Sequence, residues 1–473
     1  LRRWWPCLMR PEIGRIARGV GQGVTRLSTL DPLPVGWSWA PLGELLTAID
    51  SGKSFKCEER PPEAHEVGVI KVSAVSWGEY RESESKTCVD VERIEPDYFV
   101  SPGDFLFSRA NTIELVGACV IVGRVSKRLM LSDKILRLHF AMEDLKPWVL
   151  QYLRSKAGRD QIEMLASGNQ ESMRNIGQQR LRQILIPLPP CNERESIRFK
   201  LDELLSELAA ASDELSAAKR KLGLLRQSLL KSAVEGTLTA EWRSQQGRTT
   251  SGPGGIPHDW QVLAINEIGS VQLGRQRSPD KVGGINPTPY IRAANITEKG
   301  VELSDVLAMD FSAPEIENFA LRPGDVLLTE ASGSAEHVGR PVVWPRVDGT
   351  YCFQNTVVRF RPKSVSSRFA YFLFMAQQKL GVFAKLSAGV GINHLSAGKF
   401  GRLLVPIPPP AEQRAIVERL EVAFETIEEQ ERAIAWSMAR ASAQRQNILR
   451  AAFSGQLVPQ DPNDEPASML LDR

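Results

Sequence analysis

Six short loops hold most of the side chains in this sequence that could do directed chemistry, and they fall into three pairs. Ser51-Gly52-Lys53-Ser54-Phe55-Lys56 is matched by Gly274-Arg275-Gln276-Arg277-Ser278. Ser108-Arg109-Ala110-Asn111-Thr112 is matched by Thr329-Glu330-Ala331-Ser332-Gly333. Gly168-Asn169-Gln170-Glu171-Ser172-Met173-Arg174-Asn175 is matched roughly by Gly389-Val390-Gly391-Ile392-Asn393-His394. Arg, Lys, Asn and Gln form the bidentate hydrogen bonds that recognise guanine and adenine edges. Backbone amides and Ser/Thr hydroxyls suit phosphate contacts. The candidate DNA-contacting residues are Lys53, Lys56, Arg109, Asn111, Asn169, Arg275, Arg277 and Asn393 on these loops, together with Asn295 outside them. Each loop alone also reads as an ordinary polar turn. What separates them from background is divergence inside a repeated frame.

Catalytic constellations are not visible. The sequence has no phosphate-binding Walker loop, no glycine-rich cofactor loop after a strand, and no Asn/Asp-Pro-Pro-aromatic motif of the kind used for base amino-methylation. The six cysteines and five histidines are scattered without zinc-ligand spacing, so neither a metal site nor a disulfide framework is expected, and the compartment reads as reducing cytosol. No run of apolar residues approaches the ~20 needed to span a membrane. With 473 residues, 42% hydrophobic and 24% charged, the chain is long enough for about three globular domains. A net charge of +3 means that any nucleic-acid site must be a local concentration of charge.

The elements that would hold these loops are repeated. Leu33-Pro34-Val35-Gly36-Trp37 has a counterpart in Ile256-Pro257-His258-Asp259-Trp260, and Val69-Ile70-Lys71-Val72 in Tyr290-Ile291-Arg292-Ala293. Pro102-Gly103-Asp104 recurs 221 residues later as Pro323-Gly324-Asp325. Short β-rich runs at 105–107, 118–122 and 135–138 correspond to runs at 326–329, 341–344 and 356–360. The segments 148–165 and 369–386 read as one helix each.

Two long amphipathic helices follow. From Leu201 every seventh residue is leucine: Leu201, Leu208, Leu215, Leu222 and Leu229. Ile197, Leu204, Ala211, Ala218, Leu225 and Ser232 fill the interleaved seam, the a/d pattern of a coiled coil. Asn192 is the expected N-cap and Gly236 the C-cap. At 1.5 Å per residue the rod is about 65 Å long. Ile416, Leu420, Ile427, Ile434, Ile448 and Gly455 lie 219 residues after Ile197, Leu201, Leu208, Leu215, Leu229 and Gly236, so residues 411–455 repeat the rod and are its natural partner.

Outside the repeat, residues 1–29 hold six arginines against Glu12 alone and are expected to be poorly ordered, residues 244–255 read as a linker, and the tail from Pro459 is expected to fray. A chain opening on Leu1 suggests a non-standard start or an upstream extension. The expected divisions are 1–29, 30–186, 187–243, 244–255, 256–404, 405–458 and 459–473.

The proline entries Ile186-Pro187-Leu188-Pro189-Pro190 and Val405-Pro406-Ile407-Pro408-Pro409-Pro410-Ala411-Glu412-Gln413, with the exits Ala233-Val234-Glu235-Gly236-Thr237-Leu238 and Ala451-Ala452-Phe453-Ser454-Gly455-Gln456-Leu457, resemble the specificity subunits of type I restriction-modification enzymes. The resemblance covers residues 30–458; Asn192-Glu193-Arg194 departs from the family's usual Glu-Gln pair. It implies an α+β fold in which a β-rich target recognition domain followed by a long helix is duplicated in tandem, the helices pairing as an antiparallel coiled coil. It implies that each domain reads one half of a bipartite, asymmetric DNA target. It also implies partners: double-stranded DNA, two methyltransferase subunits and restriction subunits, with S-adenosylmethionine, ATP and Mg belonging to those subunits. On this reading the chain is cytoplasmic, holds no cofactor and catalyses nothing. Two readings of other classes remain open from the residues: a self-contained DNA-modifying enzyme with an unrecognised catalytic site, and a coiled-coil scaffold without a DNA role.

Overall fold

The computed structural model describes residues 32–76, 78–170, 173–248, 255–276, 287–332, 337–386 and 393–472. The leader 1–29 and residues 249–254 of the linker lie outside them. The described residues form two units: those up to Ala211 together with those from Arg440 onward, and Ser212–Ala439.

In the first unit Phe105-Leu106-Phe107 is apolar at consecutive positions, as a strand buried on both faces must be. Strand Phe105–Ser108 forms there, and alternation sends its side chains into two cores. Phe105 and Phe107 join Leu136, Leu138, Trp148 and Tyr152. Leu106 joins Ile70, Val120 and Ile135 on the other face. The sheet is antiparallel, in the order Leu46–Ser51, Ile135–Phe140, Phe105–Ser108, Cys119–Ile121. A second sheet runs Cys57–Glu58, Ser85–Cys88, Gly68–Ile70, Leu129–Met130, with only its last pair parallel.

The second unit repeats the frame. Val326 and Leu328 of strand Val326–Thr329 pack with Phe360 and Phe374, while Leu327 packs with Ile291, Val342 and Phe353. Its antiparallel sheet runs Gly269–Leu273, Val357–Pro362, Val326–Thr329, Pro341–Val343. The repeated Pro-Gly-Asp is the turn that feeds this central strand. Gly103 and Gly324 take φ of 87° and 91°, which a side chain disfavours. Asp104 and Asp325 close the turn by accepting from the amides of Ser101 (2.9 Å) and Arg322 (2.8 Å). Each is anchored by an arginine of the neighbouring strand, Arg137 at 3.1 Å and Arg361 at 2.7 Å.

Each expected single helix is in fact two. In the first unit they are Leu145–Arg154 and Lys156–Leu165, because Ser155 is extended and its hydroxyl accepts from the Gly158 amide at 3.2 Å, a cap that starts a new helix. In the second they are Ser367–Lys379 and Val382–Leu386, broken at Gly381 with φ of 75°.

The long helices are Cys191–Glu235 and Pro410–Phe453. Gly236 and Gly455, at φ of 82° and 69°, follow as left-handed caps. Asn192 lies inside the first helix rather than capping it, and its amide donates to Asp464 at 2.7 Å. Within the first unit Ile197, Leu201 and Leu205 share a core with Ile448, Leu449, Ala452 and Phe453. Within the second, Leu222, Leu230 and Ala233 share one with Ile416, Leu420, Phe424 and Ile427. The buried positions follow the 3.6-residue period of a straight helix and drift off the strict seam: Leu205 and Leu230 are buried, whereas Leu225 is 48% exposed.

Both helix entrances are held by the same device. Trp37 Nε1 donates to Glu193 at 2.9 Å, and Trp260 Nε1 donates to Glu412 at 2.9 Å. The tail, expected to fray, is tied to the first unit. Its Ala467 amide donates to Gly36 O at 2.8 Å, and the short helix Ala467–Leu471 packs on the core. No described helix is long and apolar enough to cross a membrane.

Candidate nucleic-acid interface

The loops of each unit are placed by one glycine and one turn. A Cβ on Gly52 would lie 2.3 Å from Leu131 O, and on Gly274 2.2 Å from Gln354 O. Only glycine allows the chain to pass so close to a neighbouring backbone. The next residues, Lys53 and Arg275, bridge Ser132 and Gln354. On the other side of the same turn the Arg109 amide donates to Lys134 O (2.9 Å), and the Glu330 amide to Thr356 O (2.8 Å). The third loop is joined by equivalent bonds, Ile176 N to Arg109 O (2.9 Å) and Leu395 N to Glu330 O (2.6 Å). Short antiparallel pairs complete the arrangement, Ala110 opposite Asn175 and Ala331 opposite His394.

On this shared frame the side chains differ. Arg109 Nε donates to Asn175 Oδ1 at 3.4 Å, a weak bond that leaves most of the guanidinium available. A groove of about 410 Å³ opens beside it, lined by Arg109, Asn175, Gln178, Gln179 and Arg180 among others. In the second unit the matching pair is Glu330 and His394, 3.1 Å apart. One unit therefore presents donors where the other presents an acceptor beside an imidazole.

The remaining candidates fall into different environments. Lys53 is exposed; its ammonium contacts Glu95 at 2.7 Å and lies 5.0 Å over the Tyr98 ring. The bond to Glu95 raises its pKa above the ordinary lysine value. Lys56 is exposed, and its amide donates to Asp90. Asn111 lies opposite Arg174, with its Oδ1 accepting from the Thr112 amide at 2.9 Å. Asn169 and Asn393 sit in the strands Ser167–Gln170 and Asn393–His394. Arg277 is outside the described residues.

Two candidates are held within the fold. Arg275 contacts Glu315 at 2.7 Å, donates to Asp310 O at 2.8 Å and stacks 4.8 Å from the centre of the Phe311 ring. Asn295 is 2% exposed; its amide donates to Glu302 O and Asp305 O, and its Oδ1 accepts from the Arg292 amide. Conversely, Glu330, His394, Asn175, Gln178, Gln179 and Arg180 were not among the candidates. The paired loops already contained the first three; a search for donors alone passes over Glu330, although a carboxylate is what accepts from the cytosine amino group.

Residues 257–434 match the family model of the type I restriction modification DNA specificity domain. The chain is 23% identical over 446 residues to the StySPI specificity subunit of Salmonella potsdam and 23% identical over 447 residues to the EcoKI specificity subunit of Escherichia coli K12. Each match covers 92% of both proteins. Along nearly its whole length the chain is therefore similar to type I restriction-modification specificity subunits, and residues 257–434 carry the match to their DNA specificity domain. The EcoEI specificity subunit of Escherichia coli is 34% identical over 187 residues, covering 39% of this chain and 31% of that protein. A solved chain from a type I R-M system, 20% identical, has the same fold, with a TM-score of 0.66 over 90% of this chain and 100% of that one. The family match lies on the second copy. The crowded glycine, the Pro-Gly-Asp turn and the Trp–Glu entrance carry the same frame onto the first.

Proposed function

We propose that this chain is the DNA-reading subunit of a type I restriction-modification complex and is itself non-catalytic. Each copy of the recognition frame reads one half of a bipartite, asymmetric duplex target. The long helices pair as an antiparallel coiled coil, set the spacing between half-sites and dock two methyltransferase subunits. Restriction subunits join that assembly, and S-adenosylmethionine, ATP and Mg act in those partners, in the cytoplasm. The observation that carries this reading is the pair of equivalent loop clusters, Arg109 with Asn175 and Glu330 with His394, held by the same backbone bonds. A frame kept twice with different hydrogen-bonding groups suits two readers of different sequence. The test exchanges residues 30–186 for the equivalent part of another specificity subunit and maps the methylated motif of the reconstituted complex. One half of the motif should change while the other half stays. If both halves change together, the two-reader proposal is wrong.

A further inference from the structure

In the first unit, Gly78, Arg154, Arg159, Arg445 and Gln446 line a pocket of about 360 Å³, separate from the groove beside Arg109. Arg159 is tied down by Ile113 O (3.0 Å), Val116 O and Glu163 (3.1 Å). Arg154 Nη2 donates to Gly78 O (2.7 Å) and Cys119 O (2.9 Å), but its buried Nε has no partner. No carboxylate forms an ion pair with Arg154 or Arg445 among the described residues. Arg445 has its pKa lowered by burial and by the charge of Arg154. Two partly buried guanidinium ions in one pocket without a counter-charge are unfavourable unless an anion joins them.

The duplication supplies an internal control. Arg226 is the counterpart of Arg445, 219 residues earlier, and it is compensated by Glu431 at 3.3 Å. The residue corresponding to Glu431 is Ser212, which carries no charge, and the counterpart of Arg154 is Met375. By sequence correspondence, then, Arg445 is joined by an additional cation where Arg226 has none, and the carboxylate that pairs with Arg226 has no counterpart in the repeat.

We propose that Arg154 and Arg445 form an oxyanion site that takes a phosphate group, framed by Arg159 and Gln446. Planar guanidinium groups bind phosphate through paired, charge-assisted hydrogen bonds. The phosphate comes either from a free phosphoanion or from the backbone of duplex DNA. This site goes beyond sequence reading, since a phosphate contact carries no base information.

The test uses the full chain with inorganic phosphate, against chloride at equal ionic strength, and separately with duplex DNA over a salt series. Phosphate should raise the unfolding midpoint by a few degrees through mass action. Arg154→Gln and Arg445→Gln should abolish that rise, Arg445→Lys should keep part of it, and Arg226→Gln should leave it intact. If DNA is the source, the salt slope of duplex binding should also fall by about 0.9 per lost phosphate contact. An unchanged slope with a lost phosphate response assigns the site to a free phosphoanion. Should wild-type chain respond equally to phosphate and chloride, and Arg445→Gln bind duplex with the wild-type affinity and slope, the site does not exist. That outcome would leave sequence reading untouched.

Discussion

Arg109 and Glu330 occupy the same place in the two units, and the bonds that hold them there are nearly identical. Both are fixed by main-chain groups: an amide donated to the turn at 134 or 356, and a carbonyl that accepts from 176 or 395. Because the frame is built from backbone hydrogen bonds, it tolerates opposite charges at the position it displays. The helix entrances differ in a more constrained way. Both bury a glutamate against a tryptophan indole, yet among the described residues only Glu412 has a buried cation beside it, Arg243, with the Thr239 hydroxyl donating at 2.6 Å. Glu193 has Gln460 at 3.4 Å and, among the described residues, no cation paired with it. The counterparts of Thr239 and Arg243 in the first copy are Val458 and Pro462. Duplication kept the position of the carboxylate and changed how its charge is accommodated.

The largest effect should come from breaking the compensated pair. Arg243→Ala leaves Glu412 charged and fully buried, which for a broken buried ion pair costs about 3–5 kcal/mol. The urea midpoint of the transition reported by the second unit should drop strongly, while the first unit should be little affected. A shift below about 1 kcal/mol, the ordinary range of an exposed pair, would show that the two entrances are equivalent after all.

Next in size are the displayed side chains. Arg109→Ala should weaken duplex binding by about 1–3 kcal/mol if Arg109 reads a base, and relax one position of one half-site. Glu330→Ala should do the same in the other half. The methylated motifs of the two reconstituted variants decide the matter. Equal losses on all sequences, with a flatter salt slope for Arg109→Ala, would make Arg109 a phosphate contact instead.

These positions also mark how far the sequence alone could be read. The central strands were legible because Phe105-Leu106-Phe107 and Val326-Leu327-Leu328 are apolar at every position. The long helices were legible because their heptads and glycine caps are local patterns. The break at Ser155 was not, since serine within an apolar period marks a cap only once its hydroxyl is seen to meet the Gly158 amide. Nor was the docking of Ala467, which depends on Gly36 more than 400 residues away in sequence. Among the candidate donors, composition could not distinguish Arg109, which is partly free, from Asn295, whose three hydrogen bonds lie inside the fold. Asn295→Ala is accordingly expected to cost stability, about 1–3 kcal/mol for the groups left unsatisfied. A change in salt slope or target motif at full stability would instead place Asn295 at the DNA.

The smallest effect, and the one that most sharpens the contrast, concerns Glu193. Burial raises its pKa above the ordinary glutamate value, the nearby Asp464 charge adds to this, and the bonds from Trp37 and Gln460 oppose it. A carboxyl whose folded pKa exceeds its unfolded value binds more protons when folded. Its contribution to stability is complete below the unfolded value of about 4.3 and is lost as pH rises through the folded value. Glutamine keeps an oxygen to accept from Trp37 and removes the charge. Glu193→Gln should therefore be within about 1 kcal/mol of wild type at pH 7, where a typical neutral hydrogen bond is retained, and should flatten the decline in first-unit stability above pH 4. Glu412→Gln at pH 7 should behave oppositely, because it strands the buried Arg243 without its counter-charge. Urea midpoints of both variants at pH 5, 6 and 7 separate the cases. If the two glutamines destabilise equally, or if Glu193→Gln leaves the pH dependence unchanged, the uncompensated charge at the first entrance has no thermodynamic consequence.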